Sequence, residues 1–184
     1  MSEKHVHNGN LSKMYENRTD EYYTPSYIIK PISKSINGFD LDPCTSEDFS
    51  EIAKNSFKEN GLKEDWFGDV WLNPPYSDIG PWLEKASKSV CCGDAETVFA
   101  LVPYRTQTQW FQRNLDGCEA ICFKEGCISF GDSNDTAPYG SLILFYGEIN
   151  EEIVSVLKEL GKTVYMGGWF DDEKNYSDKS VFDY

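Results

Sequence analysis

Long apolar runs are missing from this chain of 184 residues, and none approaches the ~20 consecutive apolar positions that a membrane-spanning helix needs. Basic residues are scarce: 17 Lys and Arg stand against 31 Asp and Glu, a net charge of −14. That deficit leaves too few cations for the broad basic face of a protein that grips nucleic acid non-specifically, so any contact with a polyanion is expected to be local, weak and salt-sensitive. Only two histidines occur, His5 and His7, too isolated in a polar stretch to make a metal site. The six cysteines, at 44, 91, 92, 118, 122 and 127, lack the paired short spacing of a zinc module, and a chain of this size needs no disulfide staples. They read as reduced, mostly buried thiols with no metal. Neither a signal peptide's basic start and apolar core nor a lipidation motif is visible, which predicts a cytoplasmic protein away from membranes; its oligomeric state is left open.

What is present is a core-forming chain, 40% hydrophobic and 15% aromatic. One domain is predicted over residues 21–170, between a disordered polar tail at 1–20 and an acidic, solvated tail at 171–184. Pro25 suits a first helical position with Thr24 as N-cap, and Tyr27, Ile28, Ile32 and Ile36 follow at helical spacing, with Pro31 expected to bend or break the helix. Residues 38–45 read as a short strand ending in an acidic residue and a proline turn. Ser46 to Phe57 reads as a helix, with Ser46 capping and Glu47 and Asp48 in its first turn. A turn at Asn60-Gly61-Leu62, a buried strand Asp69-Val70-Trp71-Leu72 and a helix over 78–90 come next. Residues 96–103 form a strand with Val98, Ala100 and Val102 on one face and Phe99 and Leu101 on the other. A helix opens at Thr106 or Thr108; strands follow at 118–124 and 141–146, an amphipathic helix at 151–160 and a last strand at 162–166. Alternating strands and helices predict an α/β fold built on a doubly wound sheet.

Asn73-Pro74-Pro75-Tyr76 closes the 69–72 strand. Neither proline can donate to a ladder, so the backbone must leave the sheet there, at the strand end where open α/β sheets bind ligands. Two readings stand side by side: a turn that merely stops a strand, and a clamp for a planar amine. In the second, the Asn73 side-chain oxygen and the Pro74 carbonyl take the two amine hydrogens and Tyr76 stacks on the ring. Asp42 ends the 38–45 strand about thirty residues earlier, and if the two strands are parallel neighbours both residues share one edge. Arg105, Arg113 and Lys124 fall close enough in sequence for a local basic patch within a loop-rich stretch suited to target recognition.

Thr24-Pro25, Phe39-Asp40-Leu41-Asp42-Pro43, Gly61-Leu62, Trp66, Asn73-Pro74-Pro75-Tyr76, Trp82 with Lys85-Ala86, Leu101-Val102-Pro103 with Arg105-Thr106, Trp110-Phe111, Phe130-Gly131, Ala137-Pro138 and Ser141 together resemble the phage-type DNA N-6-adenine methyltransferases, the Dam-like family of prophages. The resemblance implies a Rossmann-like, S-adenosylmethionine-dependent fold: a doubly wound, mostly parallel sheet with helices on both faces, encoded by a phage or prophage. It assigns Asn73, Pro74, Pro75 and Tyr76 to catalysis. It puts Thr24, Pro25, Asp42, Pro43 and Cys44 around the cofactor, the last where related enzymes carry a glycine-rich turn. Asn60 takes the place of an expected Asp near the adenosine part, Asp65 stands for the acid at the ribose hydroxyls, and Asn73 also borders the cofactor. Double-stranded DNA is the implied partner, with a flipped adenine stacked on Tyr76 and contacts from Arg105, Thr106, Arg113 and Lys124. RNA adenine or a protein glutamine remain alternative acceptors, since Asn-Pro-Pro-Tyr is shared with enzymes that methylate them. A catalytically silent acidic protein, either a mimic of DNA or a binding partner of a nuclease or methyltransferase, is the reading from another class.

Overall fold

The computed structural model describes residues 24–45, 50–128 and 140–166; the predicted tails, the Ser46 cap and residues 129–139 lie outside them. Within the described residues are strands β1 (Phe39–Asp42), β2 (Ala53–Ser56), β3 (Gly68–Leu72), β4 (Ala95–Pro103), β5 (Ala120–Lys124), β6 (Ser141–Tyr146) and β7 (Gly161–Tyr165). The helices are α1 (Ser26–Ser35), α2 (Gly80–Cys91), α3 (Gln109–Arg113) and α4 (Glu151–Leu160). The strands make one sheet in the order β2-β1-β3-β4-β6-β5-β7. The pairs β1–β2, β1–β3 and β3–β4 are parallel, and β4–β6, β5–β6 and β5–β7 antiparallel. The mostly parallel sheet of the sequence reading is thus a mixed one, parallel on the half that carries β1 and β3. In the other half β6 runs antiparallel to both β4 and β5, and β7 antiparallel to β5.

Burial explains the layers. Phe39, Trp71, Phe99, Leu101, Ile143 and Phe145 pack under Ile28, Ile29 and Ile32 of α1 and Ile153, Val156, Leu157 and Leu160 of α4. On the other side Leu41, Val70, Leu72, Val98, Ala100, Val102 and Leu144 pack under Leu83 and Ala86 of α2 and Phe111 of α3. Helices therefore cover both faces, as the alternation along β4 requires. Helix α4 is capped by Asn150, whose Oδ1 accepts from Ile153 N at 2.9 Å. Helix α1 begins one residue later than the sequence suggests, with Pro25 at the cap position, and runs through Pro31. That proline forfeits only the bond to the Tyr27 carbonyl on an exposed turn, a smaller loss than burial of three isoleucines gains.

The helix expected over 46–57 is contradicted: Ala53–Ser56 is β2, an edge strand in register with β1 from Phe39↔Ala53 to Asp42↔Ser56. Local capping signals favoured a helix; pairing with a distant strand overrode them. Cys118 and Cys122 fall in opposite cores, so they cannot converge with Cys127 on one ion.

Candidate active site

Parallel pairing of β1 with β3, Leu41 opposite Val70, brings the ends of both strands to one edge of the sheet. Asp42 is the last residue of β1 and is buried, 5% exposed. Its Oδ1 accepts from Cys44 N at 3.3 Å and its Oδ2 from the Ser50 hydroxyl at 2.8 Å. Burial raises its pKa, and those two hydrogen bonds only partly oppose the rise. Pro43 and Cys44 turn the chain so that the Cys44 thiol donates to the Asn73 carbonyl at 3.2 Å. Burial first, then the Asp42 charge, pushes that thiol's pKa well up, so it stays protonated. Asn73 Nδ2 in turn donates to Thr24 Oγ1 at 3.4 Å. Pro74 is buried, Pro75 half-buried, and Tyr76 packs partly buried against the core under α2.

Thr24, Asp42, Cys44 and Asn73, separated by up to 49 positions in sequence, are therefore joined in one hydrogen-bonded group. Ser50 was not foreseen. Read as a mid-helix residue, it had no assigned partner; in the structure it lies in the connection from β1 to β2, where its hydroxyl also accepts from Ile52 N at 3.1 Å.

The turn after β1 is braced by the stretch from 57 to 67. A Cβ at Gly61 would run into the Pro43 carbonyl, so only glycine lets the two backbones touch. Trp66 Nε1 donates to the Gly61 carbonyl at 2.8 Å, and Lys85 Nζ to the carbonyls of Leu62 at 3.1 Å and Glu64 at 2.6 Å. Trp66 also stacks on Trp82, ring centres 6.3 Å apart. Asn60 is exposed in the left-handed position (φ 60°) that starts this turn, and Asp65 is exposed on the stretch leading into β3.

Strands β4 and β5 run in the same sense as β3, so Arg105, Thr106 and Lys124 stand beyond the same edge. Thr106 is tied to α3 through Gln112 Nε2, 2.7 Å from its carbonyl, and Arg113 is exposed at the end of that helix. Lys124, separated from β4 by β6, reaches the Glu125 carbonyl and lies 5.5 Å over the Tyr27 ring. Between Arg105 and Lys124 the rings of Tyr104 (50% exposed) and Phe123 (36% exposed) meet at 6.0 Å, an aromatic pair that the sequence reading missed. Its signal was Tyr104 directly after the strand-ending Pro103.

An acidic, hydrogen-bonded turn and an Asn-Pro-Pro-Tyr corner thus stand side by side at adjacent parallel strand ends, the edge at which open α/β sheets bind ligands. The chain belongs to the DNA N-6-adenine-methyltransferase (Dam) family, whose model matches residues 11–165. It is 27% identical over 138 residues to the DNA N-6-adenine-methyltransferase of Escherichia phage T1, covering 73% of this chain and 57% of that protein. It is 30% identical over 156 residues to the DNA N-6-adenine-methyltransferase of Haemophilus phage HP1 (strain HP1c1), covering 72% of this chain and 88% of that one. The first of these matches thus spans little more than half of its relative.

Proposed function

We propose that this protein transfers a methyl group from S-adenosylmethionine to the N-6 amine of an adenine in double-stranded DNA, with the base flipped out of the helix. The observation that carries the reading is the contact between the turn after β1 and the corner after β3, Cys44 Sγ to Asn73 O at 3.2 Å. It makes a cofactor shelf and an amine clamp two sides of one crevice. The donor set fits the cofactor: a buried carboxylate at Asp42 suits the positive amino group of its methionine part, with Thr24 and Pro25 covering that end and Pro43 and Cys44 forming the floor. S-adenosylmethionine supplies an electrophilic methyl group on a sulfonium. The chain's own task is the amine, a poor nucleophile while its lone pair is shared with the ring. Asn73 Oδ1 and the Pro74 carbonyl accept its two hydrogens and draw the nitrogen toward a tetrahedral shape, and Tyr76 holds the ring flat. Arg105, Thr106, Arg113 and Lys124 contact the duplex backbone, and Tyr104 and Phe123 widen that face with surface on which bases stack. A Rossmann-like, doubly wound reading of the fold belongs to the same proposal.

Tritium-labelled S-adenosylmethionine is incubated with unmethylated duplex DNA, and with RNA and protein as parallel acceptors, before nucleoside analysis. Label in N-6-methyladenine from DNA, reduced at least about a hundredfold in Asn73→Ala while cofactor affinity by calorimetry stays within about twofold, is the expected outcome. Label confined to RNA or protein reassigns the acceptor. No label anywhere, with no cofactor binding, leaves the acidic binding-protein reading.

A further inference from the structure

Asn73-Pro74-Pro75 is hard to hold from within. Neither proline has an N–H, so two successive peptide groups accept hydrogen bonds but give none. The segment must be anchored by donors that reach its carbonyls from elsewhere. Among the described residues, Asp78 N donates to the Pro75 carbonyl at 3.2 Å and the Cys44 thiol to the Asn73 carbonyl at 3.2 Å. The second bond has the greater leverage. The Asn73 carbonyl belongs to the Asn73–Pro74 peptide, so fixing it fixes the rotation at the Asn73 Cα. That rotation decides how the Asn73 side chain leaves the backbone relative to this peptide, and where Pro74, which carries the second acceptor, is placed.

Cys44 is also tied in the other direction. Its backbone N–H donates to Asp42 Oδ1 at 3.3 Å, and Asp42 Oδ2 takes the Ser50 hydroxyl at 2.8 Å. One residue therefore spans the distance between the carboxylate at the end of β1 and the corner at the end of β3. Its sulfur keeps its proton in these surroundings and serves as a donor, not as a nucleophile.

We propose that Cys44 is a positioning residue: its thiol sets the orientation of the Asn73–Pro74 peptide, and through it the amine clamp, from the same turn that carries Asp42. The inference rests on the methyl-transfer reading above but concerns what holds the clamp, not what the clamp holds. Serine keeps a donor at this place, and alanine removes it without adding bulk.

Cys44→Ala and Cys44→Ser are compared with the unmodified protein in cofactor affinity, in kcat for N-6-methyladenine formation, and in the direction of the Asn73 carbonyl in crystal structures. In Cys44→Ala, kcat is expected to fall about tenfold or more, because misplacing a reacting group by an ångström costs up to ~100-fold. The fall in kcat at saturating cofactor should exceed the fall in cofactor affinity, since the backbone of Cys44 that floors the cofactor site is kept and only the thiol facing the clamp is lost. The Asn73–Pro74 peptide should rotate, and Cys44→Ser should recover most of the rate and the original orientation. An unchanged kcat in Cys44→Ala overturns the proposal. So does a rate that falls in step with cofactor affinity and is not recovered by serine. If the unmodified protein makes no N-6-methyladenine, the methyl-transfer reading fails, and the crystal structures alone decide this one: an unmoved Asn73 carbonyl in Cys44→Ala removes Cys44 from the role, and a rotated one retains it.

Discussion

Asp42 concentrates the conflict between folding and chemistry at the scale of a single residue. Its carboxylate is buried at a strand end with a hydroxyl and one amide for company, and burial outweighs both in raising its pKa. The folded protein therefore holds this proton more tightly than the unfolded chain does. Between the ordinary carboxylate pKa of ~4 and the raised one, stability falls as pH rises, and above both the cost of the buried charge is present in full. Asp42→Asn is expected to be more stable than the unmodified protein near pH 7, with the advantage fading below about pH 4; urea titrations at both ends check it. The same change should weaken S-adenosylmethionine binding at least about tenfold, the scale of one lost charge-assisted hydrogen bond, measured by calorimetry. A gain in stability paired with a loss of binding marks a residue kept for its chemistry. Asn73 and Asp42 were legible as strand-end residues because proline follows each and stops the strand. Ser50 was not, because nothing local says that its hydroxyl faces a carboxylate eight positions earlier.

Among the elements, the connection between β2 and β3 has no helix, yet it is fixed firmly. Gly61 lies on the Pro43 carbonyl, Trp66 closes on the Gly61 carbonyl, and Lys85 reaches over from α2 to hold Leu62 and Glu64. Gly61→Ala should push the turn after β1 away, costing about 1–3 kcal/mol of stability by the usual penalty for overpacking, and cofactor affinity should fall with it. Thermal melts and calorimetry on the same preparation read both effects. Helices α2 and α4 and strands β3, β4 and β6 were legible because their apolar spacing reports a buried face directly. Strand β2 was not: its middle residues Lys54 and Asn55 are exposed, so no alternation announces it, and it exists by pairing with β1. The antiparallel half of the sheet was equally hidden, since strand direction follows from connections and not from strand composition.

For the molecule as a whole, a net charge of −14 opposes contact with a polyanion. The cations that remain near the site are few, and two of them, Arg105 and Lys124, stand beyond the edge where β1 and β3 also end. Because few phosphates can be neutralised, the slope of log K against log salt is expected to be shallow, and the salt-sensitivity expected from the sequence is to be read as weak binding already lost at moderate salt. Arg105→Ala should lower affinity and reduce the slope of log K against log salt by about one; equal slopes in fluorescence titrations would remove Arg105 from the interface. In the proposed complex, base stacking on Tyr104 and Phe123 would offset missing charge, because stacking does not weaken with salt as ion pairing does.

Thr24 stands just before Pro25, the cap residue of α1, and α1 packs against α4, the last helix in the described chain. While the ribosome is still making α4, Asp42 and Asn73 have already emerged and β1 can pair with β3. Helix α1 then has only part of its cover, and the Thr24 wall of the crevice is not yet fixed. A chain cut before α4 is therefore expected to keep Asp42 and Asn73 at adjacent strand ends yet to hold Thr24 loosely, and so to lose the methyl transfer proposed above.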